Sequence, residues 1–554
     1  MTTSHNGATP NGTRAPDDAL DLTRDPRHSS SARDTLWTTV NVAEAIPGVI
    51  TPLGWSIWGP ASDLGMRKTF AAFGVLTGPE VQGPTGEHDR VMSVFFGRPV
   101  LRADFFLAMG ERLPGTSGAD VAESLFAATP DDYVSRPERR YYLRAALRVP
   151  VITARAPGMI KKARAETDQW WRTEVQRVAH VDLVEAQHML EAAADRFHHN
   201  AYLHMVTTFA VVQLAYDQLS ALIEAAAGVG GGLLSGDGDH EETRFVHDLW
   251  ACSRNALDLT TFLDRHGYHG PNEGEISGRV WREDHAPLER MLASYAARGD
   301  DADPRVREEA FRVQREGEKR QLLESLSGVK RLKARAVLAL AGRAIPLRGV
   351  GKVCFLQSLD VARAAARRIG HLVAEQGFID DPEDIFFLTR EEVREGRWAT
   401  ARSTVEFRRR CHLEYQRYEL PVKWNGAPQP RLIDTPNDSV EFIEGIGASP
   451  GVVEGPVRVV TEPDDIDIEE GEILVARTTD PSWAAIMFLS AGLVMDIGGA
   501  LSHAAVVARE LGIPCVANTG IGTRVLVTGD RCRVDGSTGR IEILERVSTS
   551  ASPL

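Results

Sequence analysis

One histidine in the C-terminal part of the chain has surroundings that suit phosphoryl chemistry. His503 lies in DIGGALSHAAVVARELGIPCVAN, residues 496–518. An apolar strand pattern precedes Gly498 and Gly499, and a helical pattern begins at Ser502, so we expect a strand, a glycine turn and a helix N-terminus. The unpaired N–H groups at such an end bind phosphate, and their field disfavours imidazolium. The stretch predicts that His503 attacks a phosphoryl group and holds it as a phosphoramidate.

The local pattern leaves a second interpretation open. Strand–turn–helix corners are common in α/β domains, and Ser502 is an ordinary N-cap residue. On this interpretation His503 only packs at a helix start. On the first, Gly498, Gly499 and Ser502 form a phosphate loop, because glycines let a phosphoryl group approach the backbone closely.

A second group of reactive side chains lies in YHGPNEGE, residues 268–275. A hydroxyl that accepts a phosphoryl group needs a base within reach of its proton. His269, Glu273 and Glu275 occur in a short turn shaped by Gly and Pro, where a histidine and carboxylates can form a base and its orienting partner. The alternative is a solvated loop whose acids face water.

Composition limits the function classes. The chain has 554 residues, more than one core usually spans, so we expect at least two domains. The net charge of -14 argues against a nucleic-acid partner. The 5 cysteines are scattered without a CxxC pair, which is typical of a reducing compartment. With no apolar run of about 20 residues and no secretory signal pattern, we expect a cytoplasmic protein with no membrane partner.

The pattern along the chain predicts a multidomain α+β fold. A polar leader, 1–36, is too poor in large apolar residues to order itself, and residues 37–424 have mostly helical periodicity. Residues 425–440 are rich in Pro, Asn, Asp and Gly, as linkers are. Short β-branched runs and one helix then predict a small α/β domain over 441–545, followed by a tail, 546–554.

Three ordered motifs of the small domain resemble a known family. GIGASPGVVEGPVRVV, ILVARTTDPSW and GGALSHAAVVARELGIPCV are similar to the phosphohistidine swivelling domain of the phosphoenolpyruvate-utilising enzymes. The resemblance implies that His503 is the phosphorylated residue and that the small domain swings on its linker between two sites. Many members have Thr two residues before the histidine, and this chain has Leu501. Regulation through that threonine is therefore not implied.

The first domain resembles the acceptor-binding part of the rifampin phosphotransferases and of phenol-phosphorylating relatives whose parts are separate subunits. The similar segments are NVAEAIPGVITPLGWSIWG, FFGRPVLRADFFLAMGERLPGTSG, HGYHGPNEGEISGRVWRED and GFIDDPEDIFFLTREEV. The family has a His-Gly-Pro-x-Glu-like run, which favours a functional role for YHGPNEGE. The implied catalytic residues are His269, Glu273 and Arg363, the last as a phosphate clamp, and the candidate acceptor contacts are Thr51, Pro52, Trp55, Glu275 and Lys352. Simpler alternatives stay open, a surface arginine and ordinary core tryptophans among them.

The sequence supplies no recognisable nucleotide site. In PLRGVGKV, Pro346 stands where a P-loop has its first glycine, and no Ser or Thr follows Lys352. We recognise no ATP-grasp pattern in these residues, we expect no phosphoenolpyruvate-binding barrel after the small domain, and we predict no metal site. We therefore expect ATP and Mg²⁺ to bind mainly to an ATP-grasp partner subunit.

The predicted acceptor is a small phenol, and a cresol-like alkylphenol is the best candidate, since the split arrangement resembles the phenol-phosphorylating systems. One alternative is a rifamycin-like antibiotic. A second is a non-catalytic phosphocarrier or regulatory module, although a bare carrier needs only the small domain. In a third, phosphorylation activates a small acid for condensation.

Overall fold

The computed structural model of the chain describes residues 20–40, 42–83, 89–126, 133–225, 233, 241–300, 303–433, 440–460, 468–469, 471–479, 483–499 and 502–547. The helices in these ranges are α1 (Val42–Ala45), α2 (Pro52–Ala72), α3 (Ala103–Glu111), α4 (Gly118–Phe126), α5 (Tyr142–Arg177), α6 (Leu183–Thr207), α7 (Gln213–Glu224), α8 (Glu241–Ser253), α9 (Leu259–His266), α10 (Ala286–Ala296), α11 (Pro304–Ser325), α12 (Gly328–Ala344), α13 (Leu347–Glu375), α14 (Arg390–Glu395), α15 (Ala401–Gln416), α16 (Ala484–Leu489), α17 (His503–Leu511) and α18 (Gly522–Val525).

The strands divide between the two parts of the chain. The described strands are β1 (Leu36–Thr38), β2 (Met92–Phe95), β3 (Arg98–Arg102), β4 (Tyr418–Glu419), β5 (Lys423–Asn425), β6 (Arg431–Leu432), β7 (Phe442–Glu444), β8 (Ile446–Ser449), β9 (Val452–Val459), β10 (Ile473–Ala476), β11 (Gly492–Met495), β12 (Cys515–Ala517), β13 (Arg531–Asp535) and β14 (Arg540–Glu545). The helical part carries a four-stranded sheet of order β2-β3-β1-β5 and a small β4-β6 pair. The predicted multidomain α+β fold is confirmed.

Helix α13 is the central element of the helical part. Its side chains from Val353 to Ala366 are buried on every face of the helix. It packs against α5 and α6, and α6 also packs against α2. A helix that is buried on every face lies in the protein interior, and α13 takes the polar Gln357, Asp360 and Arg363 there with it. The polar side chains on α13 are therefore held in place by their neighbours.

The N-terminal segment differs from the prediction for 1–36. Residues 1–19 lie outside the described part, but residues 20–36 pack onto the helical domain. Arg27 is fully buried and pairs with Asp25 at 2.7 Å. It also donates to the Arg408 carbonyl at 2.9 Å, and its NH1 lies 3.0 Å from His412 Nδ1. A polar segment can order itself when its few charges find distant partners, which composition alone does not reveal.

We expect Arg27→Met to destabilise the protein, because Asp25 would be left as an uncompensated buried charge. The expected loss is about 3–5 kcal/mol of unfolding free energy, measured by urea denaturation. Arg33→Met, on the exposed part of the same segment, is the control and should stay within about 0.5 kcal/mol of the wild type. An unchanged urea midpoint for Arg27→Met would mean that this segment adds nothing to the fold.

The predicted linker, 425–440, is also partly ordered. Strand β5 extends into it and pairs with β1, with Trp424 opposite Trp37. Strand β6 pairs with β4. Pairing satisfies backbone groups that a free linker would leave to water. Residues 434–439 lie outside the described part of the chain. For that stretch the linker stays a prediction.

The C-terminal part is an eight-stranded sheet of order β7-β14-β13-β9-β10-β11-β12-β8. Strands β9 to β12 run parallel, and the outer strands are antiparallel. Helices α16 and α17 share a buried apolar cluster with the helical part, in which Ile486 and Ala505 join Trp250 and Tyr295. The small domain is thus packed on helices α8 to α11.

One helical stretch, Leu183–Ile223, is long and apolar enough to cross a membrane by length and composition alone. It contains α6 and α7, joined by a π-helical turn, Thr208–Val212. It packs against α2, α5 and α13, and the buried Asn200 on it donates to Ser358 at 3.0 Å. These contacts are those of a core helix.

Candidate functional site

The loop between α9 and α10 brings a histidine, a carboxylate and a lysine together. His269 Nδ1 lies 2.6 Å from Glu273 Oε2. Lys352 Nζ, from the second turn of α13, lies 3.2 Å from Glu273 Oε1. His269 and Glu273 are both buried, whereas Lys352 keeps 27% of its side chain exposed. The carboxylate therefore bridges a histidine and an ammonium group that reaches solvent.

The neighbours of Glu273 favour its ionised form. Burial by itself would raise the pKa of Glu273, but the charge of Lys352 and the hydrogen bond from His269 outweigh burial and leave this pKa below its ordinary value. An ionised carboxylate only accepts hydrogen bonds, so the assigned tautomer of His269 carries its proton on Nδ1. Within the described part of the chain Nε2 has no hydrogen-bond partner, so it is free to accept a proton.

A cleft opens beside His269 and Lys352. It is shallow, because most of its space is open to solvent and the enclosed part has room for about one water molecule. The described residues that line it are Glu241, Phe245, His269, Gly349, Lys352, Val353 and Leu356. The His269 ring is held by Tyr268, with centroids 4.3 Å apart, and by Trp281 at 6.0 Å. The arrangement offers an apolar wall, a base and a cation to one bound molecule.

Arg363 does not lie at this cleft as a free phosphate clamp. It is fully buried, and it donates to the carbonyls of Ile276 at 3.2 Å, Glu273 at 3.1 Å and Glu275 at 3.0 Å. Its NH1 lies 3.4 Å from Asp360 Oδ1. Its donors are taken up by the loop and by Asp360, so Arg363 is a positioning residue that holds the backbone beneath His269.

Thr51, Pro52, Trp55 and Glu275 lie on the other side of the same loop. Thr51 Oγ1 donates to Glu275 Oε1 at 2.6 Å, and Thr51 N donates to Glu275 Oε2 at 3.1 Å. Thr51 is the N-cap of α2, Pro52 opens that helix, and Trp55 is buried in the core. None of the four is among the described residues that line the cleft. Thr51 and Glu275 fix the loop to the N-terminus of α2.

We expect Arg363→Met to loosen the loop and to destabilise the fold by about 3–5 kcal/mol, because three buried loop carbonyls lose their donor and Asp360 keeps only Arg282 as a counter-charge. Arg279→Met is the control, since Arg279 is on the same loop with 60% of its side chain exposed. Urea unfolding measures the stability, and acceptor turnover should fall with it. A variant as stable and as active as the wild type would show that Arg363 does not position the loop.

The sequence-predicted helix start at His503 is present. Helix α17 begins at His503, and Ser502 caps it by accepting from Ala505 N at 3.1 Å. Gly512, in the left-handed region, ends it. The backbone of His503 is described, but its side chain lies outside the described part. The helix thus places His503 at its first position, as predicted.

The turn before α17 is braced by Asp496. Its Oδ1 accepts from Thr519 Oγ1 at 2.7 Å, and its Oδ2 accepts from Thr523 N at 3.2 Å. Gly498 has φ +145°, and a side chain there would meet Ser502 Oγ at 3.0 Å. A glycine is therefore required at this position, and the turn is fixed on both sides of the predicted phosphate loop.

Sequence reasoning missed several residues that build the site. Phe245 and Glu241 line the cleft from α8, and Arg282 pairs with Asp360 at 2.9 Å beneath the loop. No local motif marks them, because their relation to His269 arises only from packing. Asp496 had a local signal, its place two residues before Gly498. No group of three or more His, Cys, Asp or Glu among the described residues could hold a metal ion.

Two family descriptions match separate parts of the chain. Residues 468–539 match the mobile domain of the PEP-utilising enzymes. Residues 176–349 match the fourth domain of rifampicin phosphotransferase. The first match contains His503 and the second contains His269, so the two candidate centres fall in different matched domains.

Curated relatives include a rifampicin phosphotransferase of a Streptomyces species, 33% identical over 314 residues, which are 53% of this chain and 35% of that protein. A prodigiosin synthesizing transferase, PigC, of Serratia marcescens is 30% identical over 297 residues, 52% of this chain and 33% of that protein. An uncharacterized protein of Mycobacterium tuberculosis, Rv2047c, is 34% identical over 228 residues, 40% of this chain and 26% of that protein.

The matched segments thus span only about a quarter to a third of these relatives. Within that span the domain resemblances predicted from the sequence are confirmed. The chain carries a mobile domain of the PEP-utilising enzymes together with a domain of the rifampicin phosphotransferase type.

Proposed function

We propose that the chain is the acceptor-binding and phosphohistidine component of a two-component, ATP-dependent phosphotransferase. The observation that carries the proposal is the His269–Glu273–Lys352 group at an apolar cleft, in a chain that also places a histidine at the glycine-entered start of α17. The first group suits proton removal from a hydroxyl, and the second suits a phosphoramidate.

The reaction divides into two half-reactions. In the first, His503 attacks a phosphoryl group of ATP held by an ATP-grasp partner subunit, so that an N–P bond forms, a P–O bond breaks and the rest of the nucleotide leaves as the phosphate-terminated leaving group. The partner subunit would also hold Mg²⁺. In the second, the acceptor oxygen attacks phosphorus, the N–P bond breaks, and the hydroxyl proton passes to His269 Nε2. The Lys352 ammonium group stabilises charge on the equatorial phosphoryl oxygens. The two histidines act in sequence, and the small domain must move between two sites.

The cleft favours a small aromatic acceptor. Phe245, Val353 and Leu356 supply apolar walls against which the face of an aromatic ring can pack, beside the base and the ammonium group. We therefore propose a phenol, with a cresol-like alkylphenol as the best candidate and an aryl phosphate as the product. The name of one relative, a rifampicin phosphotransferase, supports a rifamycin-like antibiotic as the alternative acceptor. Phosphoryl activation of a small acid before condensation is a further alternative from the sequence. A phosphocarrier without its own acceptor would leave the His269 group without a role.

Reconstitution tests the proposal. The chain is mixed with ATP-grasp proteins from the same organism, ATP, Mg²⁺ and a panel of phenols, rifamycins and small aromatic acids, and the products are identified by mass spectrometry. An aryl phosphate that requires both proteins is expected, and the chain alone should neither hydrolyse ATP nor phosphorylate a phenol. Turnover by the chain alone would contradict the two-component arrangement. Phosphorylation of a rifamycin, with no phosphorylation of any phenol, would show that the acceptor is a rifamycin-like antibiotic and not a phenol.

A further inference from the structure

Helix α12 presents an apolar stripe to solvent. Val329 is 82% exposed, Leu332 68% and Leu340 38%. Together with the exposed Ala336 they recur at spacings of three and four residues, so they lie on one helical face. The opposite face packs inward through the buried Ala334, Val337, Ala341 and Ala344. Exposed aliphatic side chains that form a contiguous stripe mark an interaction surface.

The stripe has a basic rim. Lys330, Arg331, Lys333, Arg335 and Arg343 are all exposed, and Gly328–Ala344 contains no Asp or Glu. None of the five cations forms an ion pair within the described ranges. The whole chain has a net charge of -14, so this concentration of positive charge runs against its overall balance. An apolar centre with a charged rim is the anatomy of a protein interface, here one suited to an acidic partner.

The stripe lies close to the helix that His503 opens. Helix α12 contacts α7 and α11, and α11 contacts α17. Arg509 of α17 also lies over the ring of Tyr216 on α7, 5.9 Å from its centroid. Two of the neighbours of α12, α7 and α11, thus touch the helix that His503 begins. A partner seated on α12 would stand beside the small domain, from which His503 must reach the nucleotide.

We infer that the α12 face, made of Val329, Leu332, Ala336 and Leu340 with its basic rim, is the docking surface for the nucleotide-binding subunit, and that the matching surface of that subunit is apolar with an acidic rim. The inference rests on the proposed function, which requires such a subunit. A second copy of this chain fits less well, because two α12 faces would set like charges against each other. A membrane fits less well because α12 has no aromatic side chain.

The test is binding of the ATP-grasp subunit that labels this chain in the reconstitution. Affinity is measured at 50 and 200 mM salt for the wild type, Leu332→Glu and Lys333→Glu/Arg335→Glu. Leu332→Glu should weaken binding at least tenfold, and the double variant should reduce both the association rate and its salt dependence. All three replaced side chains are exposed, so thermal unfolding should be unchanged. Discharge of an already phosphorylated chain to the acceptor should proceed at the wild-type rate.

The control is Leu147→Glu on α5, a second exposed leucine among arginines, 67% exposed. Its affinity should match the wild type. Undiminished binding of the α12 variants, or an equal loss for Leu147→Glu, would overturn the docking surface while labelling still supports the proposed function. Binding of the wild type to anionic phosphatidylserine vesicles that Leu332→Glu abolishes, with subunit binding intact, would assign the face to membranes and overturn the inference. Absence of labelling by any ATP-grasp protein would instead remove the proposed function, and the docking surface with it.

Discussion

His503→Ala is expected to abolish both protein labelling and product formation. In the reconstituted system, labelled ATP should give the wild type an acid-labile, base-stable label, as a phosphoramidate does and a serine ester does not. The alanine variant lacks the nucleophile, so neither half-reaction can proceed. Its fold should survive, because the substitution changes the first position of α17 while Ser502 still caps the helix. Such a change typically costs only about 1 kcal/mol.

The matched control is His371→Ala, which replaces an exposed histidine on α13. It should retain full labelling and full turnover. Thermal unfolding of both variants separates lost chemistry from lost structure. Product formation by His503→Ala at the wild-type rate would contradict the mechanism, because both half-reactions require the imidazole of His503. Loss of the label in His371→Ala would show that the labelled residue has been misassigned.

His269→Ala is expected to have a different phenotype from His503→Ala. The label should form at the wild-type rate, because His269 acts only on the acceptor hydroxyl. Transfer to the phenol should then slow by about 10²–10⁴-fold, the usual contribution of a general base. The measurement is the decay of labelled protein after phenol is added. A label that persists distinguishes a fault in the second half-reaction from a fault in the first.

Glu273→Gln extends this experiment to the orienting carboxylate. An amide can donate to Nδ1, which would favour the wrong tautomer of His269, and it leaves Lys352 without its counter-charge. Transfer should slow in this variant as well, with labelling intact. His285→Ala, at an exposed position before α10 in the same loop region, is the control and should transfer normally. Loss of labelling in His269→Ala, with the fold intact, would place His269 in the first half-reaction.

These two predictions depend on different parts of the structure. The His503 prediction follows from a short stretch whose signals are all local. The His269 prediction depends on contacts between α8, the loop and α13. If only the second fails, the chain still takes up a phosphoryl group and the acceptor site must be sought elsewhere. If only the first fails, the His269 cleft would need another phosphoryl source.

The amino-acid sequence by itself determined the turn at His503. The backbone conformation at position 498 requires glycine, Ser502 caps helix α17, and Gly512 ends that helix. Each of these effects acts within a few residues of the chain, so reading the residues in order predicts them. The pairing of His269 with Glu273 was accessible for the same reason, since one short turn contains both.

Only the tertiary structure decided which other side chains reach the site. Arg363 has the charge of a phosphate clamp, but the fold buries it beneath loop carbonyls, where its donors are satisfied. Lys352 had weak local support, and packing of α13 against the loop brings it to Glu273. Order in the N-terminal segment likewise depends on Arg27 reaching Arg408 and His412, 381 and 385 residues away. A buried charge is stable only where opposite charges or hydrogen-bond partners contact it. These partners are distant in the sequence, so local sequence patterns do not reveal them.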